Sequence, residues 1–360
     1  MQRHIDNHVQ VFFKKSVSVG KPNSHYSWMQ IMLMILSCVR GRETFEEGAS
    51  APSPQTLRDR LCLEGNWLVY FHATAWKLAS RLVKRFRNWN WYISVDETHS
   101  PFFGNRRKLN QELVAKGFGK LVYGYKAKTP GATGSFCFLV ISLCCCKIRI
   151  PIGIRMVSVG ESQREWIKEL INHLLSLVPQ ATVLADRGFA KTWFFRFLDD
   201  KDVKYIVRLP VKAKQVKKKI EQGLSCFQYW MTDSDTNEKA LLNVRVVSDA
   251  QDRQYIFATN LSNKRPKQLI QKYLERWDLE NIFKDSDRVT LLTSSRNHKM
   301  RLFCIVLSFL LFLLWQANQL NLTDCHKPSL RQFIKYWIKQ LCELLNCVIN
   351  PIGQLILHPP

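Results

Sequence analysis

The stretch Ala181-Thr-Val-Leu-Ala-Asp186-Arg-Gly-Phe189 joins a short apolar run to an aspartate. The run predicts a buried strand over 181–185, with Asp186 at its end. Before it, Glu161–Leu177 carries apolar residues at helical spacing, and after it we expect a helix over 191–198. A buried strand between two helices is typical of an α/β domain.

Other apolar, β-branched segments extend this arrangement into a sheet. A short strand is predicted over Trp91–Asp96, and further strands over 136–145, 148–157 and 203–209. The resulting order of strands and helices predicts an α/β fold in which a mixed sheet is flanked by helices. Asp96, like Asp186, stands at the end of its strand, and strand ends are where ligand sites gather in open α/β sheets.

The two aspartates have a chemical consequence if their strands are neighbours. Asp96 and Asp186 then lie close together, and two carboxylates at short range repel each other unless a cation neutralises them. Carboxylate oxygens are the ligands that Mg²⁺ prefers. The pair therefore predicts a divalent-metal site at the edge of the sheet.

A third acid stands on a predicted helix that runs from Lys267 to about Asp285, opened by a proline suited to the first helical turn. Glu280 shares one stripe of that helix with Tyr273 and Arg276, and Lys284 follows one turn later. A stripe of this composition is a poor core face. A solvated, salt-bridged face explains it without function; facing a metal site, it supplies a third carboxylate and groups that grip phosphates.

The charge balance points to a polyanionic partner. The chain has 53 lysines and arginines against 29 aspartates and glutamates, for a net charge of +24. Such a surface attracts nucleic acid, with an anionic membrane as the rival interpretation. The charge is spread along the chain rather than confined to a tail, which suits a long duplex lying across a folded body.

The cysteines and the apolar segments argue against other classes. The 11 cysteines contain no CxxC pair, so free thiols are favoured over a zinc site. Residues 302–315 form an apolar run of about 14 residues, short of the roughly 20 needed to span a bilayer, and predict a buried core helix. Polar residues interrupt the N-terminus before any apolar run, which favours a chain without a signal peptide.

Four segments of different character are expected along the chain. Residues 1–87 form an N-terminal helical region, suited to DNA binding or to a plain structural cap. Residues 88–210 and 263–320 form the α/β domain that carries the three acids, and 211–262 form a β-rich insertion with strand-like pieces at 240–248 and 255–259. Residues 321–360 form a C-terminal helical region with an amphipathic helix near 329–347.

These motifs together resemble a known family. The chain is similar to bacterial insertion-sequence transposases with a DDE triad on an RNase H-like core, in the subgroup marked by Tyr-x2-Arg-x3-Glu-x6-Lys and a β-rich insertion before the glutamate. Asp96 and Asp186 match the two aspartates, the second in an Asp-Arg-Gly-Phe setting, and Tyr273, Arg276 and Glu280 match the signature over a resemblance that covers roughly residues 88–320.

One position departs from the family pattern. The spacing of the signature places its final lysine at position 287, which is Asp287 in this chain. Lys284 and Arg288 are the neighbouring cations that stand in for it, or the phosphate contact is lost. The triad itself is intact.

The resemblance implies a function and its partners. The family is expected to cut DNA at element ends and to transfer the strand into target DNA, with two Mg²⁺ or Mn²⁺ ions held by Asp96, Asp186 and Glu280. The implied partners are the terminal inverted repeats and target DNA, as duplexes, and a second copy of the chain in a synaptic complex, with no membrane and a nucleoid location in a bacterial cytoplasm. DNA contacts are expected from Tyr273, Arg276, Lys284, Arg288, Arg187, Lys212, Lys214, Lys217, Lys218 and Lys219.

Two other functions share these features. An RNase H-like structure-specific nuclease has the same triad and cuts without joining, and a DNA-binding protein derived from a transposase binds without cutting. Neighbouring polar residues carry no predicted role: Glu97 points to the face opposite Asp96 if the strand continues, and His99 is expected in a loop.

Overall fold

The computed structural model describes residues 10–12, 14, 28–41, 61, 66–124, 130–146, 148–210, 214–261, 263–291, 293, 295–320, 329–330 and 332–335. The chain divides into two compact units. The first comprises Met1–Thr74 with Lys284–Pro360, and the second comprises Ala75–Phe283. The second unit contains the sheet and the three predicted acids.

The helices and strands of the described residues follow one another in a mixed order. The strands are β1 (Tyr92–Phe102), β2 (Val122–Tyr123), β3 (Gly134–Cys145), β4 (Ile148–Val157), β5 (Thr182–Ala185), β6 (Lys204–Arg208), β7 (Cys226–Thr232), β8 (Lys239–Ser248) and β9 (Gln254–Thr259). The helices are α1 (Trp28–Gly41), α2 (Trp67–Arg85), α3 (Arg106–Ala115), α4 (Arg164–Leu177), α5 (Thr192–Asp200), α6 (Lys214–Glu221), α7 (Pro266–Leu274), α8 (Trp277–Asp287) and α9 (His298–Gln319). A 3₁₀ turn over Arg187–Phe189 follows β5.

Within the described residues, nine strands form a single mixed sheet, eight of them in the order β2-β3-β1-β5-β6-β9-β8-β7. The ninth strand, β4, lies on the same side of β3 as β2, because β2 pairs with the start of β3 and β4 pairs with the remainder of that strand. Strands β1, β5 and β6 are parallel to one another, whereas β3 pairs antiparallel with both β1 and β4. Every residue of β3 is buried, as its continuous apolar sequence predicts for a central strand. The predicted mixed sheet flanked by helices is confirmed.

The strands of the 211–262 segment continue this sheet. β9 pairs antiparallel with β6, β8 with β9, and β7 with β8. The two strands predicted there are present as β8 and β9, but β7 was not predicted, because its exposed face carries the apolar residues Cys226 and Trp230, which weaken the alternation. α3 was also missed; its signal is Asn105, whose side chain caps the helix by accepting from Lys108 N at 3.0 Å.

The single helix predicted from Lys267 to about Asp285 is wrong, because the chain forms two helices there. α7 ends at Leu274 and α8 begins at Trp277. Across the break, the backbone makes short i to i−3 hydrogen bonds, such as Arg276 N to Tyr273 O at 2.9 Å. The break includes Arg276, so the residues of the predicted stripe are divided between the end of α7, the break and α8.

The apolar helix α9 is longer than the sequence predicts. It comprises 22 residues rather than the expected run of about 14, and by length and composition alone it is sufficient to cross a bilayer. However, 78% of its most apolar window is buried within the structure, as expected for a core helix. In the same unit, Phe303 of α9 packs against Phe12 and Trp67, with ring centroids 5.7 and 5.6 Å away.

Little of the predicted C-terminal helix near 329–347 lies in the described part of the chain. Residues 330 and 332–335 are helical, and the rest of that prediction lies outside the described residues. At the other terminus, α1 and α2 lie within residues 1–87, where a helical region is predicted.

Candidate active site

The ends of β1 and β5 place two aspartates side by side. The strands are parallel neighbours, and their last paired residues are Val95 and Ala185. Asp96 and Asp186 directly follow these two residues in the chain, so both aspartates lie just beyond the last β1–β5 pair, at the same level of the sheet. Each carboxylate accepts a hydrogen bond from the backbone N–H of the residue after it, at 2.9 and 2.7 Å respectively. The structure thus brings these two acids together.

A third acid joins the pair through an arginine. Arg276 Nη1 donates to Asp96 Oδ2 at 2.8 Å, and Arg276 Nη2 donates to Glu280 Oε1 at 2.7 Å. Only 5% of Arg276 is exposed, whereas 39% of the Glu280 side chain is. A single buried guanidinium therefore bridges the first and third acids of the predicted triad.

The ionisation of Asp96 reflects this crowding. The pKa of Asp96 is raised to about 6, mainly by burial and to a smaller extent by the charges of Asp186 and Glu280, while Arg276 and the backbone N–H of Glu97 act in the opposite direction. The two neighbouring carboxylates contribute because they lie within electrostatic range of Asp96. The site is therefore an anionic cluster that Arg276 neutralises only in part.

Tyr273 connects Asp186 to the same arginine. Its hydroxyl lies 3.4 Å from Asp186 Oδ1, and the Arg276 guanidinium lies 5.6 Å from the centre of its ring. On its other side, the ring packs against Phe257 of β9, with centroids 4.8 Å apart. Burial raises the pKa of Tyr273 to about 12 against the effect of Arg276, so its hydroxyl remains a hydrogen-bond donor near neutral pH.

A second set of contacts fixes the start of α8 against β1. The hydroxyl of Tyr92, at the start of β1, donates to the carboxylate of Asp278 in the first turn of α8. Lys272 of α7 lies over the Tyr92 ring, 5.5 Å from its centre, and also contacts Glu275 at 3.1 Å. The contact between Tyr92 and Asp278 could not be predicted from the sequence, since 186 residues separate them in the chain.

The predicted DNA contacts outside this cluster lie on exposed positions. Arg187 is exposed in the turn after β5, and Lys284 is exposed on α8. Arg288 follows α8 with its guanidinium 3.7 Å from Asp285. Asp287, at the position of the signature lysine, is exposed and is the last residue of α8. Their contacts with DNA stay a prediction.

The five lysines between positions 212 and 219 that are predicted to contact DNA lie in different environments. Lys212 and the side chain of Lys214 lie outside the described residues. Lys217 and Lys218 are exposed on α6. Lys219 instead donates to a backbone carbonyl of β7 at 2.7 Å, so it fastens α6 to the sheet.

The potential metal ligands form two separate groups. In the triad, the Arg276 guanidinium lies between two of the carboxylates. Among the described residues, the group of three whose ligand atoms lie within 4.8 Å of one another is not the triad but Glu97, His99 and Cys137. This group was not predicted from the sequence, because His99 was expected in a loop, whereas β1 continues to Phe102.

Comparison with known proteins identifies related sequences and folds. The sequence model of a family described as "Transposase DDE domain" matches residues 91–312. None of the curated proteins matches the chain. Among solved structures, a synaptic complex of piggyBac transposase with hairpin DNA has a similar fold, with a TM-score of 0.61 and 8% identity over 99% of this chain and 87% of that one. This likeness confirms the expected RNase H-like fold.

Proposed function

Because this chain belongs to the transposase DDE domain family and is a DNA transposase, we propose that Asp96, Asp186 and Glu280 are its catalytic carboxylates. The observation that carries this assignment is the register of β1 and β5, which sets the two aspartates at one level. Arg276 then connects that level to Glu280. All four residues fall within the matched range 91–312.

The triad suits divalent metal ions, which DDE transposases use, and we assign two Mg²⁺ or Mn²⁺ ions to it. Its donor atoms are all carboxylate oxygens, which these ions prefer. The cluster already holds one cationic group, since Arg276 contacts Asp96 and Glu280 at 2.8 and 2.7 Å. When bound, the ions activate water or a 3′-hydroxyl as the nucleophile and stabilise the leaving oxygen.

Arg276 has two positions in this proposal. In the described structure it neutralises Asp96 and Glu280. For these carboxylates to bind an ion, the guanidinium must release at least one of them, and it is then available to a DNA phosphate, for which arginine has matching donor geometry. Tyr273 meanwhile holds the Asp186 carboxylate in place through its hydroxyl.

The substrate that we propose is duplex DNA at the terminal inverted repeats of an element, followed by target DNA. The net charge of +24 supports a polyanionic partner, and the structurally similar piggyBac transposase is described in a synaptic complex with hairpin DNA. Exposed cations supply phosphate contacts, among them Arg187, Lys284, Arg288, Lys217 and Lys218.

The organisation of the whole protein follows from that substrate. Joining two element ends requires two active sites, so we propose a homodimer in the synaptic complex, acting at the bacterial nucleoid without a membrane. Residues 1–87 and 211–262 provide DNA-binding surfaces beside the catalytic parts, 88–210 and 263–320, and residues 321–360 form a C-terminal helical region.

Cleavage and joining on the element's own end DNA test the proposal. With Mg²⁺, we expect the wild-type protein to nick the ends and to join a pre-cleaved end to target DNA, and Asp186→Ala to do neither. Asp200→Ala, which removes an exposed carboxylate at the end of α5, is the matched control and retains both activities.

The same assay separates the alternatives. Hydrolysis of the ends without joining identifies an RNase H-like nuclease. Specific binding without metal-dependent nicking identifies a DNA-binding protein derived from a transposase. Equal cleavage by wild type and Asp186→Ala overturns the assignment of the triad.

A further inference from the structure

We propose that Glu97, His99 and Cys137 form a zinc-binding site that is separate from the catalytic carboxylates. β1 continues to Phe102, well past Asp96. Because successive side chains of a strand point to opposite faces, Glu97 and His99 lie on the face opposite to Asp96. This second site therefore uses the same strand without sharing a ligand with the triad.

The pairing of β1 with β3 brings the three side chains together. His99 lies directly opposite Cys137, and Glu97 lies two residues along, opposite Leu139. Directly opposite residues of an antiparallel pair share one face of the sheet. The ligand atoms of the three residues accordingly lie within 4.8 Å of one another. Ligands about 2.0–2.3 Å from a tetrahedral zinc ion lie roughly 3.5 Å apart, so small side-chain rotations suffice to close the site.

The donor atoms select the type of ion. A carboxylate oxygen, an imidazole nitrogen and a cysteine sulfur together suit zinc, which accepts all three. Mg²⁺ and Mn²⁺ prefer oxygen-only sites such as the triad. Three protein ligands leave the fourth tetrahedral position to water. The two groups of ligands are therefore chemically distinct as well as spatially separate.

Neighbouring residues hold the ligands in place. His99 Nδ1 lies 3.2 Å from Ser135 Oγ, a contact of the kind that orients metal-binding histidines. Cys137 is 1% exposed on the central strand β3, and its thiol is hydrogen-bonded to Glu97. Glu97 and His99 are exposed, so an ion reaches the group from solvent and replaces the thiol proton when it binds.

Cobalt substitution in the full-length, metal-free protein tests the site, with excess Mg²⁺ present to occupy the triad. Co²⁺ bound by a thiolate absorbs in the near ultraviolet by charge transfer. We expect this absorption in the wild type, its loss in Cys137→Ser and its bleaching by added Zn²⁺. Cys145→Ser is the matched control, because it removes another buried thiol near the far end of the same strand.

Exposed ligands provide variants that do not disturb the core. Glu97→Gln and His99→Gln are expected to weaken cobalt binding at least about tenfold, and Ser135→Ala to weaken it by about tenfold. Asp186→Asn should leave the absorption unchanged, which separates this site from the catalytic one. The proposal is overturned if the wild type shows no thiolate absorption, if the absorption survives in Cys137→Ser, or if Glu97→Gln and His99→Gln bind Co²⁺ as the wild type does.

Discussion

Arg276 is the residue on which the geometry of the proposed active site depends. It is almost fully buried and contacts both Asp96 and Glu280. A buried arginine with two carboxylate partners is stable only while it keeps them, and the carboxylates in turn lose their counter-ion without it. The same guanidinium therefore holds the acids together and occupies the space between two of them.

Replacing this arginine should separate its structural effect from metal binding. In the presence of a chelator, we expect Arg276→Ala to lower the free energy of unfolding by about 3 kcal/mol, because it leaves partly buried carboxylates without a partner. Added Mg²⁺ should restore more stability to the variant than to the wild type, because the ion replaces the lost cation. Denaturant unfolding at each condition measures both effects.

Arg288→Ala is the comparison for that measurement. Its guanidinium is 63% exposed and lies 3.7 Å from Asp285. An exposed pair of this kind contributes less than about 1 kcal/mol. If Arg276→Ala were no more destabilising than Arg288→Ala, the contacts of Arg276 with the two carboxylates would not stabilise the fold.

Asp96 should make stability depend on pH. Its folded pKa is raised from 3.8 to about 6, chiefly by burial. A carboxyl with a raised folded pKa contributes stability that is present below its unfolded pKa and is lost as the pH rises through the folded pKa. Asp96→Asn lacks this titration. With a chelator present, the free energy of unfolding of the wild type should therefore fall by roughly 3 kcal/mol relative to that of Asp96→Asn between about pH 4 and 6, and the difference should stay constant above pH 6.

Unfolding curves at several pH values test this dependence. Asp200→Asn, at an exposed carboxylate on α5, is the matched control. A difference between Asp96→Asn and the wild type that does not vary from pH 4 to pH 6 would show that Asp96 is not the buried, crowded acid described above.

Among the elements, the sheet was more predictable than the helices around the site. The runs that became β3, β4 and β5 are short, apolar and rich in β-branched residues, so their local sequence and their buried positions agree. The break between α7 and α8 has no such local signal. Glu275 and Arg276 are good helix formers, and the break lies where Arg276 reaches Asp96, 180 residues away in the chain.

The short strand β2 provides a test of packing at the edge of the sheet. A Cβ added at Gly134 would lie 2.5 Å from the backbone oxygen of Tyr123, and a backbone atom of a paired strand has little room to move. We expect Gly134→Ala to lower the free energy of unfolding by about 1–3 kcal/mol through overpacking. Denaturant unfolding measures this change.

Gly153→Ala is its matched control on β4. The added Cβ would first meet Leu170 Cδ2, at 2.3 Å, which is the end of a side chain that can rotate away. The Gly153 variant should therefore be the less destabilised of the two. The reverse order would contradict the close β2–β3 pairing.

For the whole molecule, three acids could be singled out from the sequence, but the way they come together could not. Asp186 and Glu280 could be identified from their neighbouring residues, since those neighbours form recognisable motifs. That Asp96 and Asp186 share one level depends on the register between β1 and β5, which is a long-range property. The Cys137 group was missed for the same reason, because a strand pairing creates it.

The distributed positive charge should appear as salt-dependent DNA binding. Each lysine that contacts a phosphate contributes about one unit to the slope of log affinity against log salt concentration. Replacing both Lys217 and Lys218 by alanine should therefore reduce that slope by about two and weaken binding to all sequences similarly. Titrations at several salt concentrations measure the slope.

The paired control for those lysines is the double alanine variant of Lys201 and Lys204. Both are exposed, and Lys204 begins β6, at the end of the parallel strands opposite to the acids. Its slope should match that of the wild type. Equal slopes for the wild type and the Lys217, Lys218 variant would show that these two lysines of α6 do not contact DNA phosphates.

The most direct test of the catalytic assignment is a change of metal preference. Asp186→Cys replaces an oxygen ligand by sulfur, which binds Mg²⁺ poorly and Mn²⁺ better. We expect this variant to lose cleavage of element ends with Mg²⁺ and to regain part of it with Mn²⁺, while Asp200→Cys behaves as the wild type with both ions. Cleavage by Asp186→Cys that equals the wild type with Mg²⁺ would contradict the account.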